Sequence, residues 1–124
     1  MTATTPPDPI RDLGELRERV RAFAQARDWD QFHSPKNLAM ALIVEAAELV
    51  EHFQWLTADE SAALPAQKKA AVADELADVL IYVVRLADRL DIDLLQATAE
   101  KMARNEAKYP AASVRGSAKK YTEY

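Results

Sequence analysis

An all-α bundle is the fold this sequence predicts, on three observations. Only two of the 124 residues are Gly, runs of β-branched residues are few, and Ala and Leu are abundant, which are the preferences of helix rather than sheet. In three segments apolar residues recur every three or four positions, the spacing of one helix face. Helix start and stop signals bracket those segments. The length suits one domain with a modest core.

Taken in order, the chain opens on a Thr- and Pro-rich stretch, so residues 1–10 are expected to be disordered. Asp12 and Glu15 have the spacing of a capping box and start a first helix that runs to about Arg27, with Leu13, Leu16, Val20 and Phe23 as its stripe. Residues 28–33 connect, carrying two aromatics. Ser34-Pro35 pairs an N-cap with Pro at the first helical position, and a second helix should follow to about Trp55. Residues 57–64 form a polar link with room for a short helical turn. Pro65 opens a third helix to about Leu90. Asp91 or Asp93 caps a fourth that ends before Pro110. The helical domain therefore spans 11–110. Residues 111–124 form a mobile basic tail carrying Arg115, Lys119 and Lys120.

The totals exclude several function classes. A net charge of −4 argues against general nucleic-acid affinity. Without Cys there is no disulfide framework, thiolate zinc site or cysteine nucleophile. No apolar run approaches the ~20 residues of a membrane span, and the N-terminus has no signal-peptide pattern. A cytoplasmic location is the default expectation.

The chemistry centres on Glu45-Ala-Ala-Glu48 and Glu75-Leu-Ala-Asp78. Carboxylates three residues apart share a helix face. Glu45 falls within the stripe Leu38, Ala41, Leu42, Leu49, and Glu75 flanks the stripe Val72, Leu76, Val79, Val83, Leu86, Leu90. A buried carboxylate must be paired, hydrogen-bonded or bound to metal. With few basic residues nearby, four acids on two helices suggest a divalent cation, and oxygen ligands favour Mg²⁺, Mn²⁺ or Ca²⁺ over zinc. The bland alternative for one such pair is a solvated helix face. A di-iron bundle would need Glu-x-x-His, and neither His33 nor His52 stands three residues after a Glu. His52 suits the core or a supporting place beside the acids.

Other candidates surround these acids. Tyr82 shares the face of Glu75 and Asp78, or is an ordinary core aromatic. Lys101 and Asn105, four apart on the fourth helix, offer a point charge for phosphate and a donor–acceptor pair for a base edge, or a solvated surface. Trp29 and Trp55 lie at helix ends, where each could serve as a stacking platform or pack in the core.

Arg27 to His33, Glu45 to Trp55, Glu75 to Tyr82, Lys101 to Asn105, Lys108-Tyr-Pro110 and Lys120 to Glu123 together resemble the MazG-related all-α nucleotide pyrophosphohydrolases, most of all their dCTP pyrophosphatase branch. The resemblance covers nearly the whole chain, with motifs in order. It implies a four-helix-type bundle with two long helices carrying the ExxE…ExxD metal site. It implies hydrolysis of a nucleoside triphosphate between the α and β phosphates, with dCTP or a related or modified pyrimidine deoxynucleotide as substrate, in sanitising the nucleotide pool. It places Mg²⁺, with Mn²⁺ as a possible substitute, on Glu45, Glu48, Glu75 and Asp78. It places the nucleoside against Trp29, Trp55, Tyr82 and Asn105, with Lys101 near the phosphates and His33 in the same substrate-binding set. It also implies a homodimer or homotetramer with pockets shared between subunits. One departure touches the base: some members of the branch place a His where this chain has Val20. A broader MazG-like activity on dUTP or damaged nucleotides, a non-catalytic metal or nucleotide sensor, and a plain structural bundle are the rival readings.

Overall fold

The computed structural model describes residues 5–119 and 121–123. Residues 1–4 of the expected N-terminal stretch and Lys120 of the expected basic tail lie outside them. The described chain is helical, with no strand. Its long members are α1 (Leu13–Ala26), α2 (Pro35–Glu51), α4 (Ala66–Arg89) and α5 (Leu94–Lys108), joined by the short α3 (Ala58–Ala62) and followed by α6 (Ala111–Val114) and a 3₁₀ turn at Tyr121–Glu123. No helix among the described residues is long and apolar enough to cross a membrane.

The local signals act where the sequence puts them, with three differences. At α1 the Asp12 side chain accepts the Glu15 N–H, but the Glu15 carboxylate reaches back to the Arg11 N–H at 2.9 Å. The expected capping box is therefore displaced by one residue. At α2 the Ser34 hydroxyl accepts from Asn37 N–H and Pro35 fills the first turn, as expected. That helix ends at Glu51, not near Trp55. Beyond it His52 N–H bonds to Leu49 C=O, Phe53 N–H to Val50 C=O and Leu56 N–H to Phe53 C=O. This tighter spacing winds the chain out of the α-helix. It ends just before Thr57 and Glu60, which form a complete capping box for α3. In the tail, Pro110 leads directly into the short turn α6.

Two compact units result, one ending at Asp91 and the other beginning at Ile92. In the first, α4 packs extensively on α2 and over a smaller area on α1. Its core is Leu16, Ala24, Leu38, Val72, Val84 and Ala87, all buried. The expected α4 stripe is only partly inward, since Leu76 and Leu90 are about half exposed. The buried α4 positions include a guanidinium, Arg85, only 2% exposed. Met40, Ile43, Val44 and Val50 on α2, and Leu76 and Leu80 on α4, leave apolar rows facing out. The second unit carries α5 and α6.

An acid cluster beside an aromatic cavity

The register of two helices brings the acids together. Glu45 and Glu48 stand one turn apart on α2, Glu75 and Asp78 one turn apart on α4, and α2 and α4 pack against each other. Glu45, Glu48 and Glu75 each present a carboxylate oxygen within 4.8 Å of the others. Asp78 is not part of that group of three. It lies one turn further along α4 and lines the adjoining cavity.

The cluster is electrostatically unfinished. Glu45 Oε2 and Glu75 Oε2 are buried with no hydrogen-bond partner, and among the described residues no ion pair joins Glu45 to a basic side chain. His52 Nε2 lies 3.7 Å from Glu75 Oε1. Burial pushes the Glu45 carboxyl up to about 7, helped by a hydrogen bond to Glu48 and by the charges of Glu48, Asp78 and Glu75. Orphaned carboxylate oxygens of one chemical type, converging from two helices, fit a hard divalent cation. The same residues without one hold a proton that the unfolded chain releases.

That proton gives a pH prediction. A raised folded-state pKa contributes stability that is complete below about 4.5, the ordinary glutamate value, and is lost as pH rises through about 7. His33 opposes it within the window. Its ring is held below the ordinary 6.5 by burial and by Arg85, so its contribution grows as pH rises towards that value. The urea midpoint of the chelator-treated protein minus that of Glu45→Gln isolates the glutamate. This difference should fall as pH is raised from 4.5 to 7, and a flat difference would contradict the shift.

The cavity beside the acids has a volume of about 380 Å³, within the range of small-molecule sites. From α1 come Leu16, Val20 and Phe23, from the connector Trp29 and His33, and from α4 Asp78, Ile81, Tyr82 and Arg85. Burial raises the Tyr82 hydroxyl pKa, with the charges of Glu45 and Asp78 adding to it. The rings form a short series. Trp29 meets Phe23 edge-on at 5.7 Å and His33 at 6.1 Å, while the Arg27 guanidinium covers the Phe23 face at 3.6 Å.

The connector owes its shape to the end of α1. Trp29 N–H bonds to Ala24 C=O and Asp28 N–H to Gln25 C=O, the paired bonds of a Schellman motif. Asp28 takes the left-handed position at φ 53°. Trp29 C=O then accepts from Phe32 and His33 N–H, and the Asn37 amide donates to Phe32 C=O. The connector is also tied to α4. Arg85 donates from Nε to His33 Nδ1 at 3.1 Å, and through its other nitrogens to Asp30 and Asp88. Arg89 Nε donates to His33 C=O. Asp88 accepts in turn from Nε and one terminal nitrogen of Arg21, which hold its carboxyl below the usual range.

The first unit thus gathers Glu45, Glu48 and Glu75 in the cluster, and Trp29, His33, Asp78 and Tyr82 around the cavity. Trp55 does not line it and is 86% exposed. Lys101 and Asn105 stand on α5 in the second unit, one exposed and the other half-buried. Sequence reasoning missed Arg85. Its signal was there: it stands seven residues after Asp78 and three after Tyr82, on their helix face.

This chain is similar to known proteins along most of its length. Residues 40–124 match the model of the MazG-like family. The chain is 47% identical to dCTP pyrophosphatase 1 of Mus musculus over 119 residues, covering 94% of this chain and 69% of that protein. The Homo sapiens protein of the same name is 45% identical over the same shares. A solved pyrophosphatase from Archaeoglobus fulgidus DSM 4304 superposes with a TM-score of 0.76 at 39% identity, covering 86% of this chain and 99% of that one.

Proposed function

Since the chain belongs to the MazG-like family, we propose that it is a nucleotide pyrophosphohydrolase that cleaves dCTP, or a related pyrimidine deoxynucleoside triphosphate, into monophosphate and pyrophosphate. The observation that carries this reading is the juxtaposition of two orphaned buried carboxylate oxygens with an aromatic-lined cavity. The identity to the dCTP pyrophosphatases supports the choice of nucleotide.

Glu45, Glu48, Glu75 and Asp78 would hold Mg²⁺, with Mn²⁺ as a substitute. When bound, the cation offsets the charge of these acids, takes phosphate oxygens and makes nearby water more acidic. Glu48 accepts the proton of the attacking water. Asp78, between cluster and cavity, joins the phosphate end of the site to the nucleoside end. Trp29 stacks on the base, which gives affinity with little discrimination because every base has a π-face. Tyr82 and His33 supply polar groups at the cavity wall. The family resemblance assigns Lys101 to the charge on the departing pyrophosphate, Asn105 to the base edge and Trp55 to the nucleoside.

The apolar rows on α2 and α4, together with the exposed Trp55, support a homodimer or homotetramer. Water-exposed rows of that kind are what a second copy covers. In such an assembly a partner's side chains complete the pocket.

A product-resolved assay tests the function. Purified protein is given canonical and modified (deoxy)nucleoside triphosphates, with and without Mg²⁺. dCTP should yield dCMP and pyrophosphate only when the cation is present. Release of orthophosphate and diphosphate would overturn the α–β assignment, and no turnover of any nucleotide would favour a sensor.

A further inference from the structure

Arg85 is the one charged side chain among the described residues that the fold buries almost entirely, at 2% exposure. Burying a guanidinium is costly unless its donors are satisfied. Here each part of the fork has a partner: His33 Nδ1 on Nε, Asp30 on one terminal nitrogen and Asp88 on the other. The partners span more than 50 residues of sequence, so this one side chain ties the C-terminal end of α4 to the connector that carries Trp29 and His33. Among the described residues, no hydrogen bond or ion pair joins it to a proposed cation ligand.

The bond to His33 has a chemical consequence beyond anchoring. A guanidinium N–H can only donate. The imidazole nitrogen facing it at 3.1 Å must therefore be the bare one, and the ring hydrogen must sit on Nε2. His33 and Arg85 both line the cavity.

We infer that Arg85 is a positioning residue for base recognition: it locks His33 in the Nε2–H tautomer, so the cavity wall offers a fixed donor and the bound base must meet it with an acceptor. A carbonyl oxygen or an unprotonated ring nitrogen of a pyrimidine satisfies that donor, whereas a ring N–H at the same place opposes it. The role rests on the nucleotide reading given above. Without Arg85 the imidazole samples both tautomers and the wall offers donor and acceptor in turn. A Lys at 85 carries its three donors on one nitrogen and cannot reach acceptors that are spread around the three nitrogens of the guanidinium fork.

The test combines a spectroscopic signature with kinetics on the full chain. With only two His in the sequence, ¹⁵N-correlated spectra assign His33 as the signal lost in His33→Phe. In the wild type, Nδ1 should show the pyridine-type shift and Nε2 the pyrrole-type shift. In Arg85→Met the two should move towards each other. Kinetically, Arg85→Met should raise KM for dCTP about tenfold, as expected for about one aligned hydrogen bond, while kcat stays within about twofold. In the His33→Phe background the same substitution should leave KM within about twofold, because a residue acting through another shows no separate effect once that partner is gone. A wild-type His33 protonated on Nδ1 would overturn the inference, and so would equal KM effects in both backgrounds. If the wild type turns over no nucleotide, the nucleotide reading falls by itself, and the tautomer still decides whether Arg85 sets the ring.

Discussion

Glu45→Gln is expected to yield a folded protein whose Mg²⁺-dependent turnover is lower by on the order of a hundredfold or more, the scale of losing one preorganised charge at a phosphoryl site. The reason lies in the cluster. Three carboxylates share one small region, two of their oxygens have no partner, and Glu45 itself is driven towards its protonated form. An amide retains the shape and removes the charge that a cation needs. Stability should move the other way. Above pH 7 and without metal, the variant should unfold at higher urea than the wild type, since one member of a like-charged cluster has gone. A structural role would reverse that sign, because breaking a buried ion pair costs about 3–5 kcal/mol. Turnover and the urea midpoint, measured side by side, separate the two.

Leu38→Ala is expected to cost about 2–5 kcal/mol of unfolding free energy, the usual loss for emptying a packed leucine site. Leu38 is 1% exposed, more deeply buried than any other large side chain described. Urea unfolding should show a lower midpoint with an unchanged slope. A loss below about 1 kcal/mol would mean the site collapses around the smaller residue. Met40, two residues on and 58% exposed, marks the contrast between the inward and outward faces of one helix.

Much of this arrangement was legible because it is local. Ser34-Pro35 starts a helix by a hydrogen bond that spans three residues. The acid pairs could be placed on a shared face from spacing alone. Their convergence followed from Glu45 lying in an apolar stripe, because a carboxylate there must meet something from a neighbouring helix. What could not be read depends on distant partners. Arg85 shares the helix face of Asp78 and Tyr82, but its partners Asp30 and His33 lie more than 50 residues away and only the fold brings them to it. Leu76 and Leu90 read as core because periodicity marks an apolar face without saying what covers it. The end of α2 was misjudged because the turn from His52 to Trp55 keeps helical residue types while changing its hydrogen bonds. Asp78 reads as a fourth member of the cluster, and its charge acts on Glu45 from the cavity wall.

The reversal at Asp28 bears on the unfolded chain as well as on the site. Asp28 and Asp91 both sit in the left-handed region, at φ 53° and 55°, each just past the end of a long helix. Glycine is the usual occupant there because it has no Cβ to strain. Asp tolerates the conformation less easily, and at position 28 the Gln31 amide bonds both its carboxylate and its carbonyl. The compensation comes from the other side of the folding equilibrium. A glycine adds conformations to the denatured ensemble, a cost to folding of about 0.4–1 kcal/mol that is set, at a positive φ, against the strain a side chain brings. With aspartates at these corners, the chain has less disorder to surrender when it folds. The turn presenting Trp29 then has fewer backbone states open to it than a glycine hinge would allow.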